Sequence, residues 1–430
     1  MRGGKLPRHL RAMRDVNRAT WSVRLGLICL AAVSVSLPMA WISLAKVLLF
    51  VSTLAFLTNQ AWARRTDPAI AQLWTPWAVA LMLVCSACSL LWTAADVPSA
   101  LMTFVKHSKL LEIVLLVSLI RTIAEARIAI TAFACGQAFV LLSSWLMFIG
   151  VNVPWHANAP TPNVVFSTYL DQSIMFATSA SVFWHLRHEK LWSPAFGAVG
   201  AAMAITSTLL VLEGRSGYLV ALTALALAIM WTVPRCLRLT AFVIAPIMIL
   251  TVVSLGSSQV QERIGKIMTE SQNFVKTQKV EVGDSSGWRL NAWYRSVQAI
   301  GERPLQGHGV GAWTFAVKRM QGSTGTEVFG ESNQSNPHQE FLLWGVELGV
   351  GGLLLFVCAL VSMARDALLF PQSVKRATVA VLVAIAIACL FNSALYDDLM
   401  GDFLCVILGL LMALGTRSMA NCPPLTEVRA

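Results

Sequence analysis

Residues 376–416 read RATVAVLVAIAIACLFNSALYDDLMGDFLCVILGLLMALGT. Two apolar stretches, placed at 376–394 and 399–416, meet at a polar turn carrying Asn392, Tyr396, Asp397 and Asp398. About 20 apolar residues carry a helix across a bilayer, whereas a membrane strand alternates with period two. The pair therefore reads as a helical hairpin with its polar turn at one membrane surface.

The same pattern recurs through the 430 residues, of which 56% are apolar and 13% charged, with a mean hydropathy of +0.64. A soluble domain carries about a quarter charged residues, so the composition excludes that class. Further spans read at 22–37, 39–57, 73–93, 109–120, 128–150, 172–186, 194–212, 216–233, 239–256 and 339–362. The expectation is an all-α polytopic membrane protein of about twelve transmembrane helices. Pro38 marks the first hairpin, and Pro154, Pro160 and Pro162 mark a loop, because proline stops helix continuation.

The formal charge of +11 reports topology and no nucleic acid. Arg121, Arg127, Arg187, Lys190, Arg235, Arg238, Arg365, Lys375, Arg376 and Arg417 sit at alternate ends of the spans, which the positive-inside rule makes cytoplasmic. The chain then divides into a membrane domain at 1–256 with nine spans and a cytoplasmic N-terminus, an outer loop at 257–337, a second membrane part at 338–416 with spans ten to twelve, and a cytoplasmic tail at 417–430. None of the nine cysteines lies in the long loop, and Cys422 lies in the tail, so no disulfide framework or Cys-based zinc site is on offer.

The loop at 257–337 is the one soluble-looking piece. Lys266, Glu270 and Lys276 fall on an amphipathic helix, and a second helix runs from Trp288 to Ile300. The chain then turns through Arg303 and Pro304 into Gly307, Gly309 and Gly311. A phosphate cradle would need a preceding strand or a following Gly-Lys-Ser, and neither is present, so this run reads as a loop.

Polar groups at span ends facing one compartment are the first candidates for a site. Asn336 fits an N-cap, Pro337 a first helical position and Gln339 a capping box, which places His338 in the first turn of the tenth span. The helix dipole there disfavours imidazolium, leaving a neutral ring able to accept a proton, or an interfacial residue that only packs. Arg215, after Glu213 and Gly214, suits phosphate recognition or a snorkelling anchor paired with Glu213. Arg289 opens a helix whose free N–H groups favour anions, or is a solvated loop charge. Asn392, Asp397, Asp398 and Asp402 offer carboxylates for a hard cation, but no second cluster completes a metal site. Glu340 and Glu347 share one face of the tenth span as a proton relay or as structural groups, and the relay keeps a proton-coupled transporter in view. His107, His156 and His308 lack the defined setting of His338, and Asp96 reads as structural.

These residues resemble a family, the bacterial O-antigen ligases within the wider O-antigen ligase and polymerase group. The likeness rests on Arg215 with Leu219, on His338 and Gln339 followed by Gly349 and Gly352, on the Trp288, Arg289, Trp293 helix ahead of Pro304, Gly307 and Gly309, and on the Asn392 to Asp397 turn. The resemblance implies a GT-C-like glycosyltransferase of the Gram-negative inner membrane, multi-pass and monomeric, its active site facing the periplasm. The donor would be an undecaprenyl-pyrophosphate-linked glycan and the acceptor lipid A-core, among membrane lipids, with no metal or other cofactor. His338 would be the general base, Arg215 and Arg289 would bind pyrophosphate, and Gln339, Asn336, Asn392 and Asp397 would support them or bind substrate. A polymerase with the same donor is the alternative within the family.

Overall fold

Thr122, Thr168 and Ser193 each precede an apolar stretch, and each hydroxyl accepts from the backbone N–H three residues on, at 3.1 to 3.2 Å, starting a helix at the next residue. A computed structural model describes residues 8–58, 68–155, 162–212, 214–256, 258–277, 285–324 and 335–420, and no strand occurs among them. Glu213, His156, Pro160 and Cys422 lie outside the described residues, as does most of the expected tail.

The helices run in the order α1 (Arg8–Ser34), α2 (Met39–Thr58), α3 (Pro68–Ala71), α4 (Thr75–Ser89), α5 (Val97–His107), α6 (Leu111–Leu119), α7 (Ile123–Phe148), α8 (Tyr169–His185), α9 (Pro194–Thr206), α10 (Arg215–Met230), α11 (Arg238–Gly256), α12 (Ser258–Thr277), α13 (Ser285–Glu302), α14 (Trp313–Thr324), α15 (Glu340–Leu368), α16 (Gln372–Phe391) and α17 (Asp398–Ala420). Among the described residues, five helical stretches are long and apolar enough to cross a membrane: α7, α9 with its π-helical extension to Val211, α15, α16 and α17. Stretches in α1, α2, α4 and α10 are apolar but shorter.

The hairpin that opens the sequence reading is the pair α16 and α17. The most apolar window of α17 is wholly buried, so this helix is the axis around which α6, α7 and α16 pack. Its last turn is fixed where Arg417 donates to the carbonyls of Ile120 at 2.7 Å and Val117 at 3.1 Å, groups that the end of α6 leaves without helical partners. An ion pair between Arg24 and Glu125 ties α1 to α7.

The span expected at 109–120, short enough to begin earlier, is joined to a helix that precedes it. The chain there is α5, a 3-10 turn at Ser108–Leu110 and the nine-residue α6. The bend brings two buried polar side chains to partners. His107 Nε2 meets Glu347 Oε2 at 2.8 Å, and Lys109 Nζ donates to the carbonyls of Asp397 at 2.7 Å and Tyr396 at 3.2 Å.

α15 is broken at Gly349, which has φ 69° and ψ −162°. The glycine loop docks at this break: His308 N donates to Val346 O at 2.8 Å, Gly309 N to Glu347 O at 2.9 Å, and Val350 N to Pro304 O at 2.8 Å. Glu347 Oε1 accepts from Gly311 N at 3.0 Å. Gly307, Gly309 and Gly311 have φ of 67°, 88° and 76°, so the Gly-x-Gly-x-Gly spacing serves a left-handed path that satisfies the opened helix. A Cβ at Gly349 would meet the Pro304 carbonyl. We expect Gly349→Ala to cost about 2 kcal/mol or more, from a strained φ plus the clash, and to lower the thermal transition in detergent. Gly351→Ala, in open space on the same helix, should not lower it.

Candidate functional site

Gly214 and Gly217 leave no room for a side chain against Ser173 of α8, and this close approach sets the start of α10, where Arg215 is the first helical residue. Arg215 Nη1 donates to Ser286 Oγ at 2.9 Å and lies 3.6 Å from Glu270 Oε2. The same Glu270 oxygen accepts from Ser286 N at 3.1 Å, in the first turn of α13. A carboxylate thus occupies the position between a guanidinium and a helix N-terminus, where an anion is favoured.

One turn along α13, Arg289 Nη2 reaches Asn392 Oδ1 at 3.4 Å, and Asn392 Nδ2 donates to Ser216 Oγ at 3.1 Å. Asn392 and Ser216 are both buried, so the Arg289 head is guided by a fixed amide. Burial first, and the neighbouring Arg215 charge second, hold Arg289 below its ordinary value. Two cations placed this close within one partly buried site are matched to a multiply charged anion.

His338 stands beside them. Its ring meets the Trp288 ring edge to face, with centroids 5.2 Å apart. Burial, and then the positive charge of Arg289, push the imidazole down to about 4, so it is neutral at pH 7.

The local structure corrects the helix-start expectation. α15 begins at Glu340, and its N-cap is Gln339, whose side chain accepts from Leu342 N at 2.6 Å. His338 precedes the helix in the left-handed region at φ 50°, a conformation in which His, Asn and Asp are enriched. Asn336 is no helix cap: its Oδ1 accepts from His338 N at 2.9 Å, an Asx turn that holds the strained residue. Pro337 likewise lies outside the helix, and its carbonyl accepts from Trp293 Nε1 at 3.1 Å. Gln339 N donates to Ser393 Oγ at 3.2 Å, which joins this segment to the turn after α16. The ring is neutral because of burial and Arg289, and the dipole of α15 is not needed to explain it.

The site therefore gathers Arg215, Arg289, Asn336, His338, Gln339 and Asn392 from four separate stretches. Asp397 lies further along the same turn, where burial, Asp171 and Glu340 raise it to about 7 against the opposing pull of Lys109 and Lys106. Glu340 accepts from Tyr396 N and Trp344 Nε1, each at 3.2 Å, while Glu347 holds His107 and Gly311 N, so both carboxylates fasten α15 to its neighbours. His308 is buried, with Nε2 2.9 Å from Ala299 O. Asp96 caps α5, accepting from Ser99 N at 3.3 Å. Among the described residues no group of three or more His, Cys, Asp or Glu could hold a metal ion.

Sequence reasoning did not single out Ser216, Ser286 or Ser393, whose hydroxyls connect the named residues, nor Trp288 as the partner of the histidine ring. Nothing in the local pattern distinguishes these serines, because each acquires its role from a contact across the chain.

Residues 198–357 match a family model described as O-Antigen ligase. That stretch contains Arg215, Arg289, Asn336, His338 and Gln339, together with the glycine loop and the break at Gly349. No curated protein matches the chain.

Proposed function

We propose, from the premise that residues 198–357 make this chain a member of the O-antigen ligase and polymerase family, that it joins an undecaprenyl-pyrophosphate-linked glycan to a sugar hydroxyl of lipid A-core. In this reading the chain is a GT-C-like enzyme of about twelve spans in a Gram-negative inner membrane, and the His338 face looks into the periplasm. The reading is carried by one arrangement, a half-buried imidazole that burial and Arg289 hold neutral, beside two neighbouring guanidinium groups.

A sugar hydroxyl is a weak nucleophile, so a base that removes its proton during attack speeds the step. His338 accepts that proton as the hydroxyl oxygen bonds to the anomeric carbon. The bond from that carbon to the pyrophosphate oxygen breaks, and the pyrophosphate leaves with the electron pair. Its developing charge falls between Arg215 and Arg289, fixed cations that need no reorganisation during the reaction. Glu270 holds the anion position in the absence of donor, and Asn392 keeps Arg289 aimed. Single displacement inverts the anomeric centre, so product of retained configuration would rule out this scheme.

The test is reconstitution of the purified protein with lipid-linked glycan and lipid A-core, with and without EDTA, read as product on a gel. Transfer to lipid A-core that survives EDTA is expected. Elongation of the lipid-linked glycan in place of transfer would move the assignment to a polymerase.

The acid limb of kcat/KM gives an independent check. An imidazole that protonates only near pH 4 stays a competent base throughout the neutral range, so no loss of activity between pH 8 and pH 6 belongs to it. A limb near 7 should belong to Asp397 and disappear in Asp397→Asn. A limb near 6.5 that persists in that variant would contradict the neutral His338.

A further inference from the structure

A cavity of about 480 Å³ opens between α8, α9 and α10, and none of its lining residues belongs to the site around His338. Its lining on α8 runs from Ala180 to His185, about 17 to 24 Å along the helix from Tyr169 at 1.5 Å per residue. Its volume is within the range of roughly 300 to 1,000 Å³ typical of small-molecule sites. Ala180, Ala198, Ala201, Ala202, Ala224 and Ala228 line it, and their small side chains leave the space that larger residues would fill. α9 carries Phe196 and Val199 exposed on its outer face, so the cavity borders the surface turned toward lipid.

Two features point to a polar head on the occupant. Ser181 and His185, one helical turn apart on the cavity side of α8, are buried with relative exposures of 4% and 7%, and among the described residues neither Ser181 Oγ nor His185 Nε2 has a hydrogen-bond partner. Buried polar atoms of this kind are rarely left unmatched. The second feature is charge. Arg187 stacks on Trp184, a cavity residue, at 3.7 Å from the ring centroid, and Arg376 lies 5.8 Å from the Trp231 ring, which itself meets the His185 ring at 4.9 Å. Burial and the charge of Arg376 hold Arg187 below its ordinary value, so the two guanidinium groups feel one another. Neither has a carboxylate partner among the described residues. Arg187 donates to the Trp184 carbonyl and Arg376 to the Trp231 carbonyl, which leaves both charges unneutralised. Two such cations beside an apolar cavity match an amphiphile with an anionic head.

We propose that this cavity holds an acyl chain of an anionic phospholipid, with its phosphate between Arg187 and Arg376 and an ester carbonyl accepting from Ser181 or His185. The site is separate from the glycan-transfer site and does not depend on that assignment.

Native mass spectrometry and thermal-shift titration of the detergent-purified full chain would test this, using phosphatidylglycerol and phosphatidylcholine of identical chains. Phosphatidylglycerol should bind and raise the transition temperature more than phosphatidylcholine. Arg187→Gln and Arg376→Gln should each weaken its binding about tenfold, the loss of one charge-assisted hydrogen bond. Ala201→Phe, which fills the cavity, should abolish it. Equal response to the two lipids, or phosphatidylglycerol binding unchanged by the arginine substitutions, would overturn the proposal. Should the phenylalanine variant fail to fold, the arginine variants decide alone, because those side chains lie at the bundle end and outside the packed core.

Discussion

His338→Ala is expected to lower glycan transfer by about 10² to 10⁴-fold, the contribution of a positioned general base, while the protein remains folded. The fold should survive because neither the cap of α15 nor the turn at Asn336 uses the ring. Gln339 caps α15, and the Asn336 bond goes to the backbone N–H of residue 338. Alanine is nevertheless a poor occupant of φ 50°, so His338→Asn is the sharper variant. Asparagine tolerates the left-handed region and cannot serve as the base. Both variants should lose transfer, with the asparagine protein closer to the parent in thermal stability. Substantial transfer by His338→Asn would remove the histidine from the chemistry and leave it a packing residue against Trp288.

Arg289→Ala is expected to reduce transfer by about 10² to 10³-fold, comparable to removing one preorganised donor from a site that stabilises developing negative charge. Arg289→Lys should recover little, since a single ammonium cannot reproduce a planar fork aimed by Asn392. The substitution has a second signature. The Arg289 charge opposes protonation of His338, so its removal should let the imidazole rise from about 4 toward its ordinary 6.5. The acid limb of the residual kcat/KM should then move upward in pH. A large drop in rate with no shift of the limb would separate Arg289 from the histidine and leave it a binding residue only. Arg215→Ala should act on the same anion, and the double variant should lose less than the product of the two single losses, as groups that act as a unit do.

The parts of this site differ in how visible they are from sequence. Arg215 and His338 stand out because a charged or titratable residue at the edge of an apolar stretch needs a reason, and this constrains them before any contact is known. Asn392 is visible for the same cause. The conformation of His338 was not visible: Asn-Pro-His-Gln fits a helix start well, and the competing Asx turn and Gln339 cap differ from it by three residues of register. The roles of Glu340 and Glu347 were undecidable from spacing, because a relay and a structural clamp require the same residues on the same face. Their partners, Tyr396, Trp344, His107 and Gly311, come from other segments.

What the amino-acid order determined by itself was the class of molecule. Apolar runs of spanning length, caps such as Thr122 and Thr168, and alternate basic ends act within one or two helical turns, so their consequences can be read along the chain. The tertiary structure decided the break in α15 at Gly349 and the docking of the glycine loop into it. It also decided which charges meet: Arg289 beside Arg215 and His338, and Arg187 beside Arg376 at the opposite end. Those outcomes rest on hydrogen bonds and Coulomb interactions between residues tens or hundreds of positions apart, whose strength depends on distance and burial that the linear order does not contain.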